Sequence, residues 1–250
     1  MRELLQAVEY FHLSFLRAFS ARVDKRLWAL KGGCNLRFFH RSIRYSEDMD
    51  LDIKILARET LRKNVAAILD STALGAGLRL KGIELTGWSD PKQTDTVQRW
   101  KMRLRLPGRG LEAPTKIEFS RRGLDAGAAC AVILPEILNE HMLPVFLASH
   151  YARDAAIRQK IGALAHRAET QARDIFDLNL LLDAGGRPPP DLGESLRLQA
   201  VERAQMVGHE DFLSQVVAFL PPDWQDHYRD ASAWDLILRR VVVSLTRAGT

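Results

Sequence analysis

The sequence predicts an α+β protein, with a small mixed sheet flanked by helices in residues 1–148 and an all-helical half in residues 149–250. Three observations carry this reading. Apolar and polar residues alternate at 49–55, 96–106 and 115–120, the period of half-buried strands. Helical periodicity opens the chain at 2–22. From about residue 132 the periodic segments all take helical spacing.

The elements follow in order. "RLWAL" at 26–30 is a short apolar run that stops at Lys31-Gly32-Gly33, a strand followed by a turn, and "CNLRFFH" continues as a short helix. "MDLDIKI" (49–55) reads as a strand, and 56–74 as one helix ending near Gly75. "LRLKGIELTGW" (78–88), "TVQRWKMRLRL" (96–106) and "TKIEFS" (115–120) read as strands. "SDPKQTD" and "PGRGLEAP" between them read as turns. The second half holds "ILPEILNEHM", "RDAAIRQKIGALAHRAETQ", "ARDIFDLNLLLDAG", "DLGESLRLQAVERAQM", "EDFLSQVVAFL" and "AWDLILRRVVVSLTRAG", interrupted at Gly185-Gly186 and Pro188–Pro190.

The 250 residues can bury a proper core, and 46% apolar with 27% charged residues is an ordinary globular balance. No apolar run reaches the roughly 18–20 residues of a membrane span, so no membrane partner is expected. Glu3, Glu9 and Arg17 interrupt the N-terminal segment, which reads as an amphipathic helix rather than a signal peptide. Cys34 and Cys130 lack metal-ligand spacing and imply no disulfide framework, and the seven histidines show no zinc spacing. A reducing cytoplasm is the expected location. A net charge of +5 and a pI near 9.4 permit a polyanionic partner without requiring one.

The chemistry concentrates in "LKGGCNLRFFHRSIRYSEDMDLDIK", residues 30–54. Alternation places Asp48, Asp50 and Asp52 on one strand face and Met49, Leu51 and Ile53 on the other. Like charges so close raise each other's pKa values, a cost that a bound divalent cation removes. A solvated edge strand would show the same alternation. The glycines tip the balance, because backbone N–H groups at a helix start can approach a phosphate. The stretch is neither a P-loop, lacking Gly-Lys-Ser/Thr, nor a dinucleotide fingerprint, lacking a third glycine. Gly-Gly, fourteen residues, then Asp-Met-Asp is the more specific signal.

"LKGGCNLRFF…RYSEDMDLDI" resembles the first motif of the AbiEii-type, MenT-like nucleotidyltransferase toxins of the DNA polymerase β-like superfamily. The resemblance implies a small mixed nucleotidyltransferase sheet. It implies that Lys31, Gly32, Gly33 and Ser46 contact a nucleoside triphosphate and that Asp48 and Asp50 bind Mg²⁺ or Mn²⁺, with Asp52 a neighbour. A third carboxylate is expected on a later strand, and Glu118 in "TKIEFS" is the candidate, where the pattern more often shows Asp. "IRQKIGALAHRAETQARDIFDLNLLL" resembles the family's helical motif through Lys160, Arg167, Arg173, Asp174 and Asp177. Lys160, Arg167 and Asp174 are spaced seven and seven apart, near one face if the helix continues. By the resemblance, Lys160 contacts the triphosphate and Asp174 orients it or pairs with an arginine, with Asp177 structural; a solvated helix laced with ion pairs would show the same residues. The catalytic set is then Asp48, Asp50, Glu118 and Lys160, in a metal-dependent toxin transferring NMP from an NTP to RNA. Glu118, or the metal alone, would help deprotonate the acceptor hydroxyl.

In "RWKMRLRL", Arg99, Lys101, Arg103 and Arg105 share a face opposite Trp100, Met102 and Leu104. This is either an ordinary solvated face or a track for an RNA backbone. Arg41, Arg44, Arg121 and Arg122 are candidates to extend it. The resemblance implies an RNA acceptor, with the tRNA 3′ end favoured, and a nearby-encoded antitoxin as protein partner. Cys34 reads as a packing residue and Trp234 as an anchor for the last helix. The alternatives are an NTP- or RNA-binding pseudoenzyme acting through a partner, and a haloacid-dehalogenase-like phosphatase. The phosphatase ranks low because "RYSE", rather than an apolar strand, precedes Asp48.

Overall fold

The computed structural model describes residues 2–247. The chain divides into two compact units. One takes the chain up to Arg41 and again Tyr45–Tyr151; the other takes Ser42–Arg44 and the chain from Ala152 onward.

The first unit opens with α1 (Arg2–Arg22), which buries Phe11, Phe15 and Phe19 at four-residue intervals. A turn capped by the Asp24 side chain leads into β1 (Trp28–Lys31). The chain passes straight into α2 (Gly32–Phe39), so the two glycines form its first turn. β2 (Asp48–Ile53) follows. The single helix expected over 56–74 is two, α3 (Arg58–Leu69) and α4 (Thr72–Leu80). Ser71 starts the second by accepting the Leu74 N–H. α4 also takes residues 78–80, which alternation had assigned to a strand. Gly82, at φ +68°, then turns the chain into β3 (Glu84–Gln93).

β3 runs through Ser89–Pro91, expected as a turn. It is an edge strand with two register shifts, the setting in which proline is tolerated. β4 (Val97–Leu106) agrees with expectation, whereas β5 (Leu111–Ser120) takes up Leu111–Pro114, also expected as a turn. Pro114 precedes the part of β5 that pairs with β2. β6 (Ala128–Val132), α5 (Pro135–Glu140) and β7 (Leu147–Tyr151) complete the unit. β6 and β7 were not anticipated, because neither "AACAV" nor "LASHY" alternates. They enlarge the expected small sheet to seven strands in the order β3-β4-β5-β2-β1-β7-β6. β2 is antiparallel to β1 and parallel to β5; β4 is antiparallel to β5.

One face of this sheet is apolar. Met49, Leu51, Trp100, Ile117 and Phe119 are fully buried there with α1 residues. Phe19 anchors the contact, its ring 5.3 Å from Trp28 and 5.2 Å from Phe119.

The second unit is helical: α6 (Arg153–His166), α7 (Ala172–Asp183), α8 (Glu194–Gln205), α9 (His209–Gln215), α10 (Pro222–Tyr228) and α11 (Ala231–Arg247). The helix expected to reach Gln171 ends at His166, with Arg167 in extended backbone. α10 was not anticipated. Ile157, Ile161, Leu164, Ile175, Leu178, Phe212 and Val241 are buried. Trp234 stacks on Phe212 at 4.8 Å, the anchoring role expected of it.

Candidate active site

Strand register decides which polar side chains meet. Asp48 stands opposite Lys116 and Asp50 opposite Glu118 across β2–β5. Lys31 stands opposite Asp50 across β1–β2, and Arg99 opposite Glu118 across β4–β5. In-register neighbours share a sheet face, so these side chains gather on the face opposite the apolar core. The crowding of acids seen in the sequence is thus a patterned row of carboxylates and cations over four neighbouring strands, β4, β5, β2 and β1.

Most of these acids are ion-paired. Lys116 Nζ lies 2.6 Å from Asp48 Oδ2, Lys31 Nζ 2.6 Å from Asp52 Oδ1, and Arg99 Nε 2.5 Å from Glu118 Oε2. The buried Asp52 also accepts a hydrogen bond from the Tyr151 hydroxyl at 2.8 Å. Asp50 differs: among the described residues its carboxylate makes no ion pair within 4.0 Å. Burial pushes its pKa up; nearby Lys31 and Lys116 oppose this, while Asp48 and Glu118 add to it. An unpaired carboxylate flanked by two others is a hard-oxygen donor set suited to a divalent cation. Among the described residues no three His, Cys, Asp or Glu side chains converge as a ready cage. That agrees with Lys116 and Arg99 engaging Asp48 and Glu118. It leaves room for Mg²⁺, which takes one or two protein carboxylates and completes its shell with water and phosphate.

Gly32 is required twice here. Its φ of +66° lies in the left-handed region, and a Cβ would sit 3.1 Å from Asp50 Oδ2. The start of α2 therefore lies directly against the central carboxylate, and no side chain caps that helix start. Its free N–H groups suit an anion. Lys31 is the residue before the first turn, and Ser46, expected near the nucleotide, donates its hydroxyl to the Asp48 carbonyl at 2.8 Å.

The helical unit holds a second charged cluster. Lys160 Nζ lies 2.8 Å from Asp174 Oδ1 and 2.6 Å from Asp177 Oδ2. Arg167 Nε is 2.7 Å from Asp174 Oδ2, and Arg44 Nη2 is 3.0 Å from Asp177 Oδ2. The seven-residue spacing brings Lys160, Arg167 and Asp174 together although no continuous helix joins them. Burial opposes the charge on Lys160, yet Asp174 and Asp177 prevail and raise its pKa. Burial likewise opposes the charge on Asp177, and Arg44 and Lys160 lower its pKa. Arg173 is half-buried on α7.

A family model described as "Nucleotidyl transferase AbiEii toxin, Type IV TA system" matches residues 14–239. The chain belongs to the AbiEii nucleotidyltransferase toxin family. It is therefore a nucleotidyltransferase toxin of a type IV toxin–antitoxin system, and the family implies a cognate antitoxin. Solved structures share the fold. MenT4, a nucleotidyltransferase toxin from Mycobacterium tuberculosis H37Rv, is 22% identical with a TM-score of 0.60, covering 99% of this chain and 86% of that one. JHP933 from Helicobacter pylori is 20% identical with a TM-score of 0.58, covering 96% and 92%. A second H. pylori protein is 19% identical with a TM-score of 0.61, covering 100% and 99%. No curated protein matches. Among the described residues no helix is long and apolar enough to cross a membrane.

In this AbiEii toxin the basic row on β4 borders the carboxylates through Arg99. Lys101, Arg103 and Arg105 are exposed, and Arg105 pairs with Glu84 at 2.6 Å. Two proposed extensions of that row are corrected. Arg44 is buried against Asp177, where its guanidinium and Lys160 together neutralise a fully buried carboxylate. Arg121 is half-buried and donates to the Gln98 side chain and the Leu56 carbonyl. Arg41 and Arg122 are exposed. Cys34 is buried, as expected of a packing residue, and burial raises its thiol pKa well above the usual value. Sequence reasoning missed Lys116 as the partner of Asp48, although Lys116 lies two residues from Glu118 on the same face. It also missed Tyr151, for which "LASHY" carries no signal.

Proposed function

We propose that this toxin is a metal-dependent enzyme that transfers NMP from an NTP to an RNA acceptor, with the tRNA 3′ end favoured. The observation that carries the proposal is the unpaired Asp50 between Asp48 and Glu118, with the glycine turn of α2 against it. In such a transfer an acceptor hydroxyl attacks the α-phosphate and pyrophosphate leaves. Bound by Asp48 and Asp50 with Glu118 beside them, Mg²⁺ or Mn²⁺ would neutralise charge on the attacking and leaving oxygens.

The chain's own residues supply the rest. The N–H groups at the start of α2, with Lys31, meet the triphosphate. Glu118 exchanges Arg99 for the acceptor hydroxyl and takes its proton. Lys101 and Arg103 follow the acceptor backbone. In the helical unit, Asp174 and Asp177 hold Lys160, and Asp174 also holds Arg167.

The test is incubation of the purified protein with total RNA, Mg²⁺ and each NTP labelled on its α-phosphate. Label should enter RNA, and the labelled species names the acceptor. It should vanish in Asp48→Ala and Asp50→Ala. Nucleotide and RNA binding without transfer by the wild-type protein would favour the pseudoenzyme instead.

A further inference from the structure

α1 is apolar along most of its buried length, yet two of its buried residues, Glu9 and His12, are ionisable. They are three positions apart and therefore neighbours on the helix surface. Glu9 accepts from Arg37 Nε of α2 at 2.6 Å and meets His141 Nε2 at 2.9 Å. Arg37 also lies 4.6 Å over the Tyr45 ring, three residues before Asp48. His12 is fully buried, and burial lowers its pKa to about 4, so it is neutral near pH 7.

His12 starts a chain of hydrogen bonds that ends on the backbone leading into Asp48. Its Nε2 is 2.8 Å from Thr115 Oγ1, and Thr115 Oγ1 donates to the Glu47 carbonyl at 2.6 Å. A hydroxyl has one proton, so Thr115 must accept from His12, which fixes the Nε2–H tautomer. Cys34 Sγ donates its one proton to the Asp48 carbonyl at 3.2 Å, so its 3.6 Å approach to the unprotonated His12 Nδ1 is a packing contact. Ser46 donates to the same carbonyl. Both carbonyls at the start of β2 are thus held by side chains from three other places in the fold. A leucine in place of His12 would suit the surrounding apolar core better, since burying a polar ring costs free energy unless it is bonded.

We propose that His12 is a positioning residue: through Thr115 it fixes the peptide that leads into Asp48, and so sets where the first carboxylate of the site stands. It precedes residues 14–239, which the family model matches. As a neutral donor it can do this without placing a positive charge behind a carboxylate that must hold a cation. The inference rests on the metal-dependent reading for its consequence, but not for its geometry.

Two measurements on the full-length protein test it. The first is Mn²⁺ binding, followed by the paramagnetic resonance of free Mn²⁺. Wild type and His12→Gln, which keeps an N–H donor, should bind alike. His12→Phe and Thr115→Val should bind about tenfold more weakly, the scale of residues that orient metal ligands. The second is hydrogen exchange of the 45–51 backbone without metal, which His12→Phe and Thr115→Val should accelerate and His12→Gln should not. Thr115→Val keeps the shape of the core and stands in if His12→Phe does not fold. Wild-type exchange at 45–51 in folded Thr115→Val overturns the proposal, as does unchanged Mn²⁺ affinity. If the wild-type protein binds no Mn²⁺, the metal-dependent reading fails, and the exchange experiment alone decides the role of His12.

Discussion

Replacing Gly32 with alanine tests the architecture at its narrowest point. Two costs follow from the structure. At φ +66° an alanine sits in left-handed backbone, worth about 1–2 kcal/mol. Its Cβ would also lie 3.1 Å from Asp50 Oδ2, inside the ordinary contact range of 3.4–4 Å, so that carboxylate must move by a few tenths of an ångström. The first cost should lower the melting temperature of the first unit by about 2–8 °C, at roughly 2–4 °C per kcal/mol for a unit of this size. The second should displace a group that must be held within about 0.5 Å, and reduce transfer by about tenfold or more. Gly33→Ala is the control, since Gly33 lies in the helical backbone of α2 and carries no left-handed cost. Differential scanning fluorimetry gives the first number and label transfer to RNA the second. A Gly32→Ala protein with wild-type melting and wild-type transfer would refute both the backbone argument and the place given to Asp50.

Further expectations concern the charged clusters. Lys160→Met leaves two buried aspartates short of a cation and should destabilise the helical unit by about 3–5 kcal/mol in urea titration, with an unchanged midpoint refuting the pairing. The lowered pKa of Asp177 gives stability present above about pH 4 and lost as pH falls through the folded value; the raised pKa of Lys160 gives stability present below about pH 10 and lost as pH rises through its folded value. Asp177→Asn should therefore flatten the acid limb of the helical unit's unfolding profile. His12, held at about pH 4 against an ordinary 6.5, stabilises the first unit above pH 6.5 and loses on the order of 3 kcal/mol as pH falls to 4. His12→Gln should remove that slope, and a His12→Gln profile as steep as wild type between pH 6.5 and 4 would refute it. Lys101→Gln with Arg103→Gln should lower the log–log salt slope of RNA binding by about 0.7 per lost phosphate contact while sparing NTP affinity. A wild-type slope would mean that the β4 face is only solvated.

The sequence alone determined the acidic strand, the glycines before it, the mixed first half and the helical second half. These are local: alternation, glycine position and apolar spacing act within a few residues of chain. It also carried enough of both motifs for the family to be named. The tertiary structure decided which charges meet. Asp48 pairs with Lys116 and Glu118 with Arg99 because of strand register, which joins residues 68 and 19 positions apart. Register is set by burial of Met49, Leu51, Ile117 and Phe119 on the other face, and no segment contains that information by itself. The same holds where expectation failed. Residues 78–80 alternate like a strand but join the helix that Ser71 caps. β6 and β7 carry no alternation and form only because they pair with each other and, through β7, with β1. Arg44 looks like one more surface cation in "HRSIRYSE", yet it is buried against Asp177, 133 residues away, whose carboxylate it shares with Lys160.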